Sequence, residues 1–333
     1  MPMMDLLINY GLFLAKTVTI SVAVIFVVGM VASIIFRGKA QKQSNLQISS
    51  LNEKYQKFAR ALEMKTLSKY RFKQIIKAEK NRLKSEKKHE KKSDTQKKRV
   101  FVLNFSGDMK ASAVDLLREE ISALLMVVHA QDEVLLRLES AGGMVHSYGL
   151  AASQLQRLRE KNVALTIAVD KVAASGGYLM ACVADRIIAA PFAIIGSIGV
   201  VAQMPNINKL LKRHDIDYEQ ITAGKYKRTL TVMGENTDLE REKVRQELEE
   251  THDLFKDFVV QRRQTLDIEK VATGEYWYGS RALELNLVDE LKTSDDYLMS
   301  AAETSDLFEV SYEVKRTLAQ RLPLAVQGWL SRV

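Results

Sequence analysis

Twenty consecutive residues without a charge, Thr17 to Phe36 (TVTISVAVIFVVGMVASIIF), lie between Lys16 and Arg37. At about 1.5 Å of rise per residue, such a run reaches roughly 30 Å, the thickness of a bilayer's hydrocarbon core. Leu6 to Leu14 extends the apolar character, and the Lys16 stem is long enough to snorkel. A cleaved leader fits less well: there is no basic segment ahead of the run, and no A-x-A site precedes the basic stretch after it. Residues 1–36 are therefore expected to be a retained single-pass transmembrane anchor. Arg37, Lys39 and Lys42 at its far end would place the rest of the chain in the cytoplasm by the positive-inside rule.

Charge is distributed unevenly along the rest of the chain. The net charge is +8, yet residues 71–99 alone hold 13 Lys/Arg against 4 Asp/Glu, which is +9 and leaves −1 for everything else. The basicity belongs to a tether over residues 37–99, expected as basic helix or disordered linker, and not to a folded face that would grip nucleic acid. Anionic lipid headgroups are a fitting partner for a basic stretch just beyond an anchor. A stripe of Leu51, Tyr55, Phe58, Leu62 and Leu67 makes its first part helical. The single cysteine, Cys182, excludes an internal disulfide and any cysteine-based metal cluster. No motif calls for a metal or a cofactor.

From Val100 the texture changes. VFVLNF (100–105), EVLLRL (133–138), ALTIAV (164–169) and RIIAA (186–190) read as buried strands. Helical apolar spacing over Ala113–Ala130 and Val145–Glu160 fills the gaps between them. Strands alternating with helices imply an α/β fold built on a mostly parallel sheet. Thr237 and Glu240 form a capping box that opens a long amphipathic helix to about Arg263.

Two glycine-rich turns fall at strand ends. RLESAGGMV (137–145) places Gly142 and Gly143 between a strand and a helix, where bare N–H groups can approach a developing negative charge; a plain strand–helix turn reads the same way. DKVAASGGYLMACVAD (170–185) places Ser175 and Gly176 at the start of an apolar helix. Ser175 there is either an N-cap or a nucleophile beside unpaired N–H groups. A nucleophilic serine needs a base. None of the five histidines, His89, His129, His146, His214 and His252, lies in a glycine-rich or strand-end context. A lysine can serve if burial lowers its pKa from about 10.4 to roughly 7–8. ITAGKYKRTL (221–230) offers Lys225 and Lys227.

Taken in order, RLESAGG, VAASGGY, IGSIGV (195–200) and AGKYK resemble the signature set of the signal peptide peptidase A family, with the anchor and basic tether resembling its SohB branch. The resemblance covers roughly residues 100–295, including GEYWYGSRALELNLVDEL (274–291). It implies a ClpP/crotonase-like spiral of ββα units over 100–295, with 296–333 as a C-terminal extension. It implies a serine endopeptidase in which Ser175 is the nucleophile and Lys227, rather than Lys225, is the general base. Ser197 would orient that base, and Gly142, Gly143 and Gly176 would line the oxyanion hole. The substrates implied are signal-peptide remnants or unfolded-protein fragments, the assembly a homo-oligomeric ring, and the location a bacterial inner membrane. The best-known member of the family leans toward the opposite side of the membrane from the charge rule, so the side stays open. Ala141, where the family usually has proline, and Glu139, where it has Asp or Asn, depart from the pattern and bear on substrate preference. A crotonase-fold acyl-CoA enzyme and a non-catalytic membrane scaffold are the competing classes.

Overall fold

Continuous apolar runs and amphipathic segments assemble here around one sheet, ten-stranded among the described residues. The computed structural model describes residues 11–25, 44–90 and 97–314. Two compact units are distinguished, residues 48–311 and a second drawn from residues 1–47 and 312–333. In the second unit, residues 11–25 form a helix, α1, exposed along its length. The expected span continues to Phe36, and its part beyond Ile25 lies outside the described residues. No helix among the described residues is long and apolar enough to cross a membrane.

After α1 come β1 (Ser44–Ser50), α2 (Leu51–Thr66) and α3 (Lys69–Glu90). Next follow β2 (Arg99–Gly107), α4 (Val114–Leu125), β3 (Glu133–Ser140), α5 (Val145–Glu160) and β4 (Ala164–Val169). The centre of the fold adds β5 (Val172–Ala174), α6 (Gly176–Ala181), β6 (Arg186–Ala189), β7 (Ile194–Gly196) and α7 (Asn208–Arg213). The remainder is α8 (Asp238–Val260), α9 (Ile268–Val271), β8 (Tyr276–Tyr278), α10 (Gly279–Glu284), β9 (Glu290–Leu291), α11 (Ser294–Ala301) and β10 (Asp306–Val314). The expected capping box is present: Thr237 accepts from the Glu240 N–H, and Glu240 reaches back to the Thr237 N–H.

The strand order is β1-β10-β2-β3-β4-β6-β9, and every pairing from β10 to β9 is parallel. Alternate residues of the central strands face opposite ways, so both faces are covered. Phe101, Leu103, Phe105, Leu136 and Leu138 pack under α4, α5 and α6. Val100, Val102, Leu135, Ala168 and Ile188 meet Leu51 of α2 and Leu298 of α11 on the other side. The sheet thus draws in residues on both sides of 100–295. Leu51, inside the stretch read as tether, is buried, and the Asn52 amide donates to the carbonyls of Ala302 and Ser305. Strand β10, inside the stretch read as extension, lies beside β2.

One departure from a simple parallel sheet builds the site. Strand β3 pairs with β4 along most of its length, but at its carboxyl end Ser140 pairs with Ala173 of β5 instead. Strand β5 in turn pairs with β7, and β7 runs antiparallel to β8. This short side branch carries Ser175 and Ser197 at the ends of its strands.

Candidate active site

Ser175 joins β5 to α6 with φ 52° and ψ −119°, a conformation that L-residues rarely adopt. Its N–H donates to the Gly196 carbonyl at 2.7 Å, and its own carbonyl accepts from the Leu179 N–H. Both backbone groups are therefore committed, while the hydroxyl makes no capping bond to the helix it precedes. That disposes of the N-cap reading. A non-glycine residue held in this turn costs about 1–3 kcal/mol, which the surrounding sheet must over-determine.

The loop from Ala141 to Gly143 is braced from below. The Tyr148 phenol, raised above its ordinary pKa by burial, donates to the Asp108 carbonyl at 2.8 Å and lies 2.5 Å from Ser140 Oγ. Ser140 Oγ then accepts the Gly142 N–H at 3.0 Å. Gly142 is thereby corrected: its N–H is spent within the loop and does not face an oxyanion. Its glycine identity has another cause, because φ is +90° and a Cβ would lie 2.7 Å from the Gly176 nitrogen. The N–H groups of Gly143 and Gly176 have no acceptor among the described residues. Gly143 presses on Met109, where a Cβ would meet the carbonyl oxygen at 2.2 Å; the Met144 N–H donates to that same carbonyl.

Ser197 follows β7 with φ 51°, and its N–H donates to the Glu275 carbonyl at 2.7 Å. Its hydroxyl reaches the Gly274 carbonyl only at 3.4 Å. Because Ala174 and Gly196 are register partners, Ser175 and Ser197 leave neighbouring strands side by side. Both serines line a cavity of about 920 Å³ together with Gly142, Gly143 and Gly274. Ser175, Gly143 and Gly176 also border a second, apolar cavity of about 220 Å³ walled by Val145, Leu179, Leu254, Phe255 and Phe258.

Lys227 is not part of either wall. It sits on an exposed turn, its N–H bonded to the Gly224 carbonyl, within a segment from 201 to 236 in which no residue is buried. The burial expected of a base is absent at Lys227 in the single chain. The structure instead brings α8 to the larger cavity, through Arg245, Leu248, Glu249 and His252. The His252 Nε2 is buried without a hydrogen-bond partner among the described residues. Spacing of three and four along α8 was the available signal for this face, and no glycine-rich context marked it. Among the described residues no group of His, Cys, Asp and Glu is arranged to hold a metal ion.

A serine freed from helix capping, lining a cleft with two unpaired N–H groups on the same walls, is an arrangement able to carry acyl transfer. Two family models match the chain in succession, one described as "Peptidase family S49 N-terminal" over residues 5–155 and one as "Peptidase family S49" over 157–307. A protein of Haemophilus influenzae described as "Probable protease SohB" is 51% identical over 325 residues, covering 95% of this chain and 92% of that protein. One of Buchnera aphidicola subsp. Schizaphis graminum, with the same description, is 51% identical over 315 residues, 94% of this chain and 92% of its own. A solved membrane-bound stomatin-specific protease is a more distant likeness, 14% identical with a TM-score of 0.43 over 68% of this chain and 99% of that one. The chain belongs to peptidase family S49, a family of serine peptidases. Within that family it is of the SohB type.

Proposed function

We propose that the chain is a membrane-anchored serine endopeptidase on a ClpP/crotonase-like frame, with Ser175 as nucleophile and Lys227 as general base. The observation that carries the reading is the Ser175 turn: a strained backbone, an uncommitted hydroxyl, and the free N–H groups of Gly143 and Gly176 close by. Ser175 Oγ attacks a peptide carbonyl and forms an acyl-enzyme, which water then hydrolyses. Gly143 and Gly176 hold the oxyanion, each such donor contributing on the order of 3–4 kcal/mol to lowering the barrier. Lys227 takes the serine proton and returns it to the leaving amine, with Ser197 orienting it.

Covering of segment 201–236 by another copy in a homo-oligomeric ring would bring Lys227 out of water. The segment's exposed Val201, Met204, Leu210, Ile216 and Ile221 favour such a contact, since apolar side chains gathered on one segment mark an interaction surface. Substrates are apolar peptide remnants at a bacterial inner membrane, to which residues 1–36 anchor the chain and the basic stretch adds headgroup affinity.

A second reading has one observation in its favour: His252 lines the same cavity as Ser175 and would be the base in place of Lys227. The test measures hydrolysis of a denatured protein and labelling by a serine-reactive phosphonate. Ser175→Ala should abolish both with the melting temperature little changed. Turnover surviving in Ser175→Ala would reassign the nucleophile.

A further inference from the structure

Gly149 lies within α5, and no contact among the described residues requires a glycine there. A Cβ built on it meets no atom within 4 Å. Around it the glycines of the site are sterically obligatory: a Cβ at Gly176 would strike the Tyr148 ring at 2.4 Å, and one at Gly177 the Ser140 carbonyl at 2.5 Å. A helix-interior glycine is less stable than alanine, because its backbone loses more freedom on folding. Position 149 therefore gives up helix stability that alanine would recover without a clash.

Position 149 is open space at the wall of the apolar cavity of about 220 Å³, which Gly149 lines together with Leu254, Phe255 and Phe258 of α8. Ser175, Gly143 and Gly176 border the same cavity. The cavity thus opens at the three residues that would hold the scissile carbonyl, which suits it to the side chain of the residue donating that carbonyl. We propose that Gly149 determines specificity: it keeps the cavity deep enough for a large apolar side chain on the residue that donates the scissile carbonyl. The inference rests on Ser175 being the nucleophile. It makes the lost helix stability the counterpart of a substrate preference for leucine, methionine or phenylalanine over alanine or serine.

The experiment compares the full-length protein with Gly149→Ala and Gly149→Leu on a denatured protein substrate, with cleavage sites and rates mapped by mass spectrometry. The rate ratio for cleavage after Leu, Met or Phe relative to Ala or Ser should fall about 10-fold in Gly149→Ala. In Gly149→Leu it should fall about 100-fold or more, since each methylene excluded from such a pocket counts for roughly 10–200-fold. Gly149→Ala should also melt about 2–4 °C higher than the parent. A merely structural role for Gly149 would lower the melting temperature and depress all cleavages together. That result, or a ratio unchanged within about 2-fold in both variants, overturns the proposal. Should Ser175→Ala be inactive while the ratio stays put, only the role of Gly149 falls; should Ser175→Ala remain active, the nucleophile assignment falls first.

Discussion

The two halves of the proposed dyad sit in opposite kinds of structure. Ser175 is held by a sheet branch, with its backbone bonded to Gly196 and Leu179 and the neighbouring glycines wedged against Tyr148 and Ser140. Lys227 rides on residues 201–236, where order comes from polar side chains binding nearby carbonyls, such as Asn206 to Thr231 and Gly234 and Asn208 to Met233. The first region would keep its shape in isolation, because buried apolar area and sheet hydrogen bonds converge on it. The second offers little buried area, so its conformation is open to being set by whatever packs upon it. On the proposed dyad, this division would give a permanent nucleophile and oxyanion cradle, with a base brought in by assembly or closure.

The largest effect that separates the halves is catalytic. Lys227→Ala should lower kcat/KM by about 10⁴-fold or more, as removal of a base does when it works as a unit with its nucleophile. Lys225→Ala, whose amine lies over the Tyr226 ring, should change it little. His252→Ala supplies the contrast: loss there with Lys227→Ala active would move the base to α8 and erase the distinction between the halves. Limited trypsin digestion sharpens the same comparison. Nicking at Lys225, Lys227 or Arg228 should precede any cut within 99–199, and its suppression at high protein concentration would show that a second copy covers the segment.

Next in size is a stability effect confined to the rigid half. Asp132 is fully buried at the amino end of β3, where burial would raise its carboxyl. Two bonds from the Arg99 guanidinium, at 3.0 and 2.5 Å, and one from the His129 N–H at 2.7 Å outweigh that and hold it below the usual carboxylate range. A carboxyl depressed in the folded state stabilises above its unfolded pKa of about 3.9, and the stabilisation fades as pH falls through the lower folded value. The melting temperature should therefore drop steeply below about pH 4. Asp132→Asn should cost about 3 kcal/mol at neutral pH, the low end for a broken buried pair, since Arg99 is partly wet. Residual activity of folded Asp132→Asn should match the parent, because the pair lies at the far end of β3 from Ser140. A shift in kcat/KM without melting would show the two ends of the strand to be coupled.

How far the sequence carried depends on how local the signal was. The strand read at 164–169 is β4, the helix read at 145–160 is α5, and the capping box heads α8, because periodicity and caps are written in neighbouring residues. The edges of the sheet were hidden. Strand β10 and helix α2 take part through contacts some 250 residues apart, such as Asn52 with Ser305, and basic flanks made the whole of 37–99 look like a tether. The three-residue strands β5 and β7 are too short for any periodicity, yet they set Ser175 beside Ser197. The glycines marked the cradle, but only tertiary structure tells Gly142, whose N–H is spent on Ser140, from Gly143, whose N–H is free.

The smallest effect tests the rigidity of the nucleophile directly. At φ 52° and ψ −119°, Ser175 occupies a region where glycine is at ease and a Cβ is crowded. Ser175→Gly and Ser175→Ala should both be inactive, but they should differ in stability. Alanine keeps the Cβ and the strain. Glycine releases about 1–3 kcal/mol of strain and gives back roughly 0.5–1 kcal/mol through the greater freedom of the unfolded chain. The balance is about 1 kcal/mol in favour of Ser175→Gly, which thermal melts of the two inactive variants can detect as a few degrees. Equal melting temperatures would mean that the turn relaxes when its hydroxyl is removed. The sheet branch would then not be holding Ser175 against its own preference, and the nucleophile would be as dependent on its surroundings as the lysine.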